Sequence, residues 1–412
     1  MRILLLTQWF QPEGFFKGLP FAEALRDKGH DVQVLTGFPN YPSGRLYPGF
    51  RIRWYQREVM NGITVHRVPL FPSHDRSAFR RIMNYLSFAL SALVIGPWVV
   101  RKPEIVYVYN LITLGPAAFL IRRLCGARVM IDVQDLWPES VAGSGMLKNG
   151  AALRLLKGVC DYVYRKADGL AVLSPGFRRQ LSSRGIPPER IEVIYNWCNE
   201  AALAPMRCDG AVESRKSPRD KFNVLFAGSM GIFQGLDTLL ECARICADEL
   251  PGVQFTLIGG GVDRDRLRER AAAMSLNNVV FLPPRPAEIM DEVFAQADAL
   301  LVHLKDDPLF RITIPSKTQA YLYVGKPIIM AMRGDAREII LNAGAGIVCD
   351  PDNPKELMRS IEELCRVPEA KRRDMGASGR QYYYKHMSFN LGVERFEAAM
   401  KDLLSIGMKP EC

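Results

Sequence analysis

Residues 223–261 read NVLFAGSMGIFQGLDTLLECARICADELPGVQFTLIGGG. An apolar run of strand length, Asn223–Ala227, stops at a loop of small residues: Gly228, Ser229, Gly231 and Gly235. Apolar residues then recur at helical spacing to Glu249. A second apolar run, Gln254–Ile258, stops at Gly259-Gly260-Gly261. Strand, glycine loop, helix and strand in that order make a βαβ unit, which joins parallel strands.

The alternation extends outward from this unit. Towards the C-terminus come helix Arg264–Met274, strand Val279–Leu282, helix Pro286–Gln296 and strand Ala299–Leu304. Helix Ser316–Val324, strand Pro327–Met332, helix Ala336–Asn342 and strand Gly346–Cys349 follow, and then helices Pro354–Arg366, Glu369–His386 and Phe389–Leu404. Towards the N-terminus, strands are expected at Ile3–Thr7, Asp31–Thr36, Ile63–Val68, Ile105–Tyr109, Arg128–Asp132, Gly169–Leu173 and Ile191–Ile194. Helices Pro20–Lys28, Leu114–Leu124 and Ala151–Lys166 lie between them, and Ser174-Pro175 has the form of an N-cap with proline at the first helical position. Periodicity disappears from Asn196 to Lys221, amid Pro205, Gly210 and Pro218. The expected class is α/β, with two doubly wound Rossmann-like domains facing a cleft: residues 1–200, a linker 201–220, and 221–386. The helix within 387–412 is expected to pack back towards the first domain. Ligands of such sheets bind beyond the carboxyl ends of the strands, so the informative residues are those in the loops that follow strands.

Composition narrows the chemistry. The 412 residues carry 54 Lys and Arg against 44 Asp and Glu, a net charge of +10 that favours anionic partners. Zinc-finger spacing, a basic helix and an aromatic RNA signature are all lacking, which argues against nucleic acid. Nine cysteines, none in a CxxC pair, suit reduced structural thiols and no metal site. MRILLLTQWF reads as a first strand, since no cleavage site follows an apolar region of signal-peptide length. A cytoplasmic location follows. The stretch Ile82–Val100, IMNYLSFALSALVIGPWVV, is apolar enough to resemble a membrane span and is flanked by Arg80, Arg81, Arg101 and Lys102. Asn84, Ser87 and Ser91 interrupt it and Gly96-Pro97 is expected to break its last turn. A buried or membrane-surface helix is therefore preferred to a spanning one.

Several loops could carry chemistry. Gly14 and Gly18 precede a helix whose first amides suit a phosphate. Asp132, Asp135 and Glu139 in IDVQDLWPES put carboxylates at a strand end, and Asp135 is the functional candidate. The Gly228–Gly235 loop can offer backbone amides to a diphosphate. Residues 303–328 gather Lys305, Arg311 and Lys317 beside a helix opened by Pro315-Ser316, a phosphate-recognition combination.

Taken together and in order, RILLLTQWFQPE, LRDKGHDVQVLTGFPNYP, DVQDLWPES, VLSPGFRRQL, VIYNWCN, FAGSMGIFQGLDTLLE, VVFLPPRP and IPSKTQAYLYVGKPII resemble the family four glycosyltransferases, retaining enzymes of the GT-B fold. The resemblance covers Met1 to about Leu404. It is greatest to a bacterial subgroup that builds O-antigen, capsule and exopolysaccharide, including fucosaminyltransferase-like enzymes. It implies an N-terminal acceptor domain and a C-terminal domain for the nucleotide sugar. Gly14 and Gly18 match the first-domain loop near the donor phosphates. Ser229, Met230, Gly231 and Gln234 match the diphosphate loop, and Gly235 the glycine opening its helix. Phe281, Leu282 and Arg285 fall where relatives hold the base, and Arg311 to Lys317, with Pro315 and Ser316, match the loop beside the donor. Asp135, Lys317 and Arg311 are the catalytic candidates.

Departures accompany the likeness. Ser229 and Gln234 stand where many relatives carry Arg and Lys, and Ile312 and Ala320 where many carry two glutamates eight apart. The implied activity is metal-independent transfer of a hexose or N-acetylaminosugar from a UDP-sugar to a lipid-diphosphate-linked sugar. The nucleotide sugar is the donor and no cofactor is involved. An anionic membrane surface is the second partner, at the inner face of the plasma membrane. The alternatives are a sugar-nucleotide 2-epimerase and a catalytically silent sugar-nucleotide-binding subunit.

Overall fold

The computed structural model of the chain describes residues 1–73, 77–143, 149–203, 221–286 and 289–406. Most of the expected linker falls on 204–220, outside the described residues. The chain divides into two compact units, Met1–Ile194 with Gly392–Cys412, and Tyr195–Leu391.

Unit 1 is built on eight strands: β1 (Arg2–Leu6), β2 (Asp31–Gly37), β3 (Gln56–Met60), β4 (Ile63–Val68), β5 (Ile105–Tyr109), β6 (Arg128–Val133), β7 (Gly169–Val172) and β8 (Ile191–Val193). Their order is β3-β4-β2-β1-β5-β6-β7-β8. Leu5 lies opposite Val34 of β2 and Tyr107 of β5 in parallel register. Both faces of β1, β2, β5, β6 and β7 are covered, which is why these strands read as continuous apolar runs.

Unit 2 has six strands: β9 (Phe222–Ala227), β10 (Val253–Ile258), β11 (Val279–Leu282), β12 (Ala299–His303), β13 (Ile328–Ala331) and β14 (Gly346–Cys349). Their order is β11-β10-β9-β12-β13-β14, and every pair is parallel. Val224, Phe226, Leu257, Leu301 and Ile329 form the sheet side of its core, and Leu239, Leu240 and Leu267 the helix side. In both units the chain runs outward on one side of the first strand and returns on the other. The topological switch points therefore lie between β1 and β5, and between β9 and β12.

Three features differ from expectation. The hairpin β3–β4 puts an antiparallel strand at one edge of the first sheet, whereas the sequence suggested only parallel strands. Its turn is Asn61-Gly62, both with positive φ, the type I′ geometry that matches strand twist. The apolar helix spans Ala78–Val99 and continues through Pro97, because Val100 N bonds Gly96 O at 3.1 Å past the proline. The helix expected at Pro286–Gln296 spans Met290–Ala295, with 287–288 outside the described residues.

That apolar helix has two apolar faces. Asn84, Phe88, Ala92 and Ile95 are buried against the unit, and Gly96 lets the helix approach Leu35 of β2. The opposite face exposes Phe79, Met83, Leu86, Leu90, Val94 and Trp98, the last at 87%. Asn84 is buried because its Nδ2 donates to Phe71 O at 2.6 Å and its Oδ1 accepts from Gln8. The C-terminal helix, Phe389–Ile406, belongs mainly to unit 1: Phe396 packs on Phe21 and Tyr107, at 5.4 and 5.6 Å between ring centres. Glu397 bonds His30 and pairs with Lys28 and Lys401, which hold its carboxyl down at about 2.

Candidate functional site

At the β9/β12 switch point two glycine loops lie backbone against backbone. Gly228 N donates to Ile258 O at 2.9 Å, and Met230 N to Gly260 O at 2.6 Å. Gly259 and Gly261 both have φ of +140°, and a Cβ on them would sit 1.9 Å from Gly228 O and 2.3 Å from Met230 O. Only glycine can occupy these positions. Lys317, in the first turn of helix Ser316–Val324, lies beside this junction. Its Nζ is 4.5 Å from the centre of the Phe226 ring, and a Cβ at Gly228 would fall 2.7 Å from its Cε. Among the described residues no carboxylate pairs with Lys317, and burial lowers its ammonium to about 8. A half-buried cation with no paired carboxylate, next to glycine backbone, is suited to an anion.

The other expected donor residues are distributed around this point, with corrections. Met230 is a core residue with no exposed surface. The Gly231 amide is taken by Gln234 Oε1 at 2.8 Å, and Gln234 O accepts from His303 at 2.6 Å. The expected backbone cradle is thus largely spent on the loop itself, leaving Ser229 exposed next to Gly228. Gly235 has φ of +60°, and a Cβ there would meet His303 and Lys305, each at 3.0 Å. Phe281 and Leu282 lie half-buried in the outermost strand, β11, with Arg285 exposed beyond it. Pro315 caps helix Ser316–Val324, and Ser316 is exposed at its start.

Arg311 does not join Lys317 as a free charge: Asp306 holds its guanidinium through two bonds, 2.7 and 2.8 Å, and also pairs with Arg333 at 3.0 Å. Asp307 caps the short helix Pro308–Arg311. Sequence reasoning missed His303. It is buried at the end of β12, its Nε2 has no hydrogen-bond partner, and burial lowers its pKa.

In unit 1 the three candidate carboxylates separate by environment. Asp132 is buried and structural: Lys17 Nζ lies 2.7 Å away, Gln134 Nε2 donates at 2.6 Å, and Tyr107 donates its hydroxyl. Glu139 is clamped by Arg184 at 2.9 Å. Asp135 follows β6, exposed, with Asn110 Nδ2 at 3.1 Å and no cation paired to it among the described residues. Asn110 sits at the end of β5 with φ of +63°. Although part of its surface is open, the protein packed around the strand end desolvates the Asp135 carboxyl and raises it above its ordinary range despite that bond.

Gly14 faces open space, whereas Gly18 is buried against the Gln11 side chain. The helix they precede, Leu19–Asp27, is not the amide site expected. Leu19 N already donates to Gln11 Oε1 at 2.6 Å, and Pro20 has no amide hydrogen. Glu13 was also missed. Its buried Oε1 accepts from Asn40 N and Tyr41 N, both at 2.7 Å, and so ties the loop after β1 to the loop after β2. A Pro-Glu-Gly run otherwise reads as a solvated turn.

Comparison with known proteins gives this architecture a family. Residues 19–197 match the Glycosyl transferase 4-like domain and residues 211–382 the Glycosyl transferases group 1 domain. The putative colanic acid biosynthesis glycosyl transferase WcaI of Escherichia coli (strain K12) is 25% identical over 389 residues, covering 90% of this chain and 93% of that protein. The probable glycosyltransferase WbjE of Pseudomonas aeruginosa is 27% identical over 290 residues, 69% of this chain and 71% of that one. Among solved structures, sucrose-phosphate synthase from Thermosynechococcus elongatus superposes with a TM-score of 0.71 at 15% identity, over 98% of this chain and all of that one. Anabaena HepE, solved in complex with UDP, gives 0.68 at 15% identity, again over 98% of this chain and all of that one. With one glycosyltransferase domain matched after the other along the chain, on two doubly wound sheets, the chain belongs to the two-domain glycosyltransferases of the GT-B fold.

Proposed function

We propose that the protein transfers a hexose or N-acetylaminosugar, with retention, from a UDP-sugar to a lipid-diphosphate-linked sugar during bacterial surface-polysaccharide synthesis. The observation that carries this reading is Lys317 beside the Gly228 and Gly259 loops. It is a cation with no paired carboxylate among the described residues, set beside the exposed Gly228 where a nucleoside diphosphate can approach it. A leaving diphosphate gains negative charge in the transition state, and a preformed positive site stabilises it there more than in the bound donor. Lys317 would do this without a metal ion. In a retaining transfer the departing phosphate oxygen can take the acceptor proton, and Asp135, uncompensated and with a raised pKa, orients the acceptor or answers developing positive charge. The relative named for colanic acid biosynthesis supports the polysaccharide setting, and the neighbour solved with UDP supports the nucleotide.

The exposed stripe of the apolar helix suits a lipid-linked acceptor. Six large apolar residues spaced by three or four align on one face, and Arg80, Arg81, Arg101 and Lys102 bracket them. That pattern fits a helix lying in the plane of an anionic membrane surface at the inner leaflet. Its other face is committed to the sheet, so spanning would strip Phe88 and Ala92 from the core.

The test is UDP release from a panel of UDP-hexoses and UDP-N-acetylhexosamines, with lipid-diphosphate-linked sugars in anionic vesicles, with and without EDTA. Acceptor-dependent release that survives EDTA is expected. Loss of release in EDTA sinks the metal-free step. Epimerised UDP-sugar without release would replace transfer by isomerisation.

A further inference from the structure

The sheet of unit 2 opens beside Lys317. β9 and β12 pair through Ala299 opposite Val224 and Leu300 opposite Leu225, and there their pairing stops. β12 stays with β13 as far as His303, while β9 stays with β10 as far as Ala227. Ala227 is thus the last residue of β9, on an edge that β12 has left. Gly228 N donates across to Ile258 O of β10, so the N–H and C=O of its neighbour Ala227 point the other way, into the gap. Buried backbone groups need partners, and here a side chain supplies both. The Tyr321 hydroxyl accepts from Ala227 N at 2.8 Å and donates to Ala227 O at 3.1 Å. One phenol oxygen stands where the next strand would have been. Its ring is buried, with Phe294 edge-on at 5.9 Å.

Tyr321 lies one helical turn beyond Lys317 in helix Ser316–Val324, so the two side chains share a face. That face runs along three consecutive residues at the end of β9. The Lys317 ammonium is over the Phe226 ring, the Tyr321 hydroxyl is on Ala227, and Lys317 Cε lies beside Gly228. The other end of the helix is held by Arg380, whose Nε donates to Tyr323 O at 2.9 Å. The hydroxyl ties the Lys317 end to the sheet. Satisfying Ala227 does not by itself require a tyrosine, because a buried water could bond both of its groups. A water would not fasten them to the helix that carries Lys317. That fastening matters for rate: a misplacement of about 1 Å at a group acting on a reacting centre costs about 10²-fold.

We propose that Tyr321 is a positioning residue: its hydroxyl, set where β12 leaves β9, holds Lys317 over the Gly228–Gly259 junction. Its consequence for transfer rests on the reading of Lys317 as the group that meets the diphosphate. Tyr321 itself touches no substrate, and its effect on the reaction passes through the place of the Lys317 ammonium.

Tyr321→Phe, in the whole protein, keeps the buried ring and removes the hydroxyl. The first readout is Lys317 itself. Burial alone holds its ammonium down at about 8, with no charged neighbour contributing among the described residues. A helix end released from the sheet admits water and lets the ammonium return towards the ordinary lysine range. Competitive acetylation of Lys317 across pH, read by mass spectrometry, should show its midpoint rise by about one pH unit or more. The second readout is calorimetric affinity for UDP at neutral pH, which should fall about tenfold or more, the scale of one displaced charge-assisted bond. The thermal midpoint should drop by about 2–4 °C. Ile361→Val, in the core of the same unit, should lower the melt comparably and leave both other readouts at their wild-type values, which separates positioning from loss of stability. A Lys317 midpoint still near 8 in Tyr321→Phe overturns the proposal whatever the melt does. So does a moved midpoint with UDP affinity within about twofold, where Lys317→Ala does weaken UDP. If the midpoint moves and Lys317→Ala binds UDP as the wild type does, Tyr321 still places Lys317, and it is the diphosphate reading of that lysine that fails.

Discussion

At the β9/β12 switch point the backbone approaches itself as closely as glycine allows, and Lys317, a cation with no paired carboxylate among the described residues, overlooks it. At the β1/β5 switch point the uncompensated charge is a carboxylate, Asp135, set among aromatic rings and unpaired amide and hydroxyl oxygens. The two sheets share one winding, so the difference lies in the loops. Glycines let two loops pack backbone on backbone beside a cation, a floor suited to a polyanion. Aromatics and a carboxylate leave a surface for an uncharged, hydroxyl-rich ring. The same topology thus supplies two opposite kinds of site, and each can be broken without touching the other.

The largest effect is expected from Gly259→Ala. The new Cβ would sit 1.9 Å from Gly228 O at a φ of +140°. One loop must then leave the other, at a cost of about 4 kcal/mol or more. A thermal melt should show unit 2 losing its cooperative transition; an unchanged melt would mean that the two glycine loops are not the rigid floor described. Lys317→Ala comes next. It should preserve the melt but lower kcat/KM by about 10²–10³ and weaken UDP binding, as removal of one donor to a developing anion does. Its pH dependence sharpens the point. Free Lys317 is protonated below about 8, and UDP favours that charged form. UDP affinity should therefore be full below pH 8 and fall, by up to about tenfold per unit, as pH rises above it. Lys317→Arg should flatten that fall. Asp135→Asn should lower kcat by about 10² while UDP affinity stays the same, the complementary split for the other switch point. If Asp135→Asn weakened UDP instead, the division of labour between the two sheets would be wrong.

Most of this fold was legible because parallel strands buried on both faces are short apolar runs, and because Ser174 caps its helix by accepting from Phe177 N. The missed strand, β3, carries only half-buried and exposed residues, so no apolar run announced it. Its Asn61-Gly62 turn was the available signal. Lys317 and Asp135 were legible as charges placed directly after strands or at a helix start. What the sequence could not tell was which charges are already spent. Arg311 lies close to Lys317 in the chain, yet Asp306 occupies it. Asp132 lies three residues from Asp135, yet Lys17, a long way off in sequence, neutralises it. Met230 sits within the loop but points into the core. Pairing is a tertiary property, and it decides which members of a charged loop remain for a ligand.

Gly14→Ala is the mildest change and asks whether the asymmetry between the sheets extends to their glycines. No atom lies within 4 Å of the Cβ it would add, in contrast to Gly259. Nothing in the folded unit therefore resists alanine, and the unfolded chain loses freedom, so the thermal midpoint should stay or rise with a gain of about 0.4–1 kcal/mol. Any loss of activity must then come from a ligand. If donor phosphates lie against Gly14, as the family resemblance implies, the donor KM should rise severalfold while the melt does not fall. If donor KM and acceptor KM both hold, Gly14 is a turn residue only, and the diphosphate is held by the glycines and Lys317 of unit 2 alone.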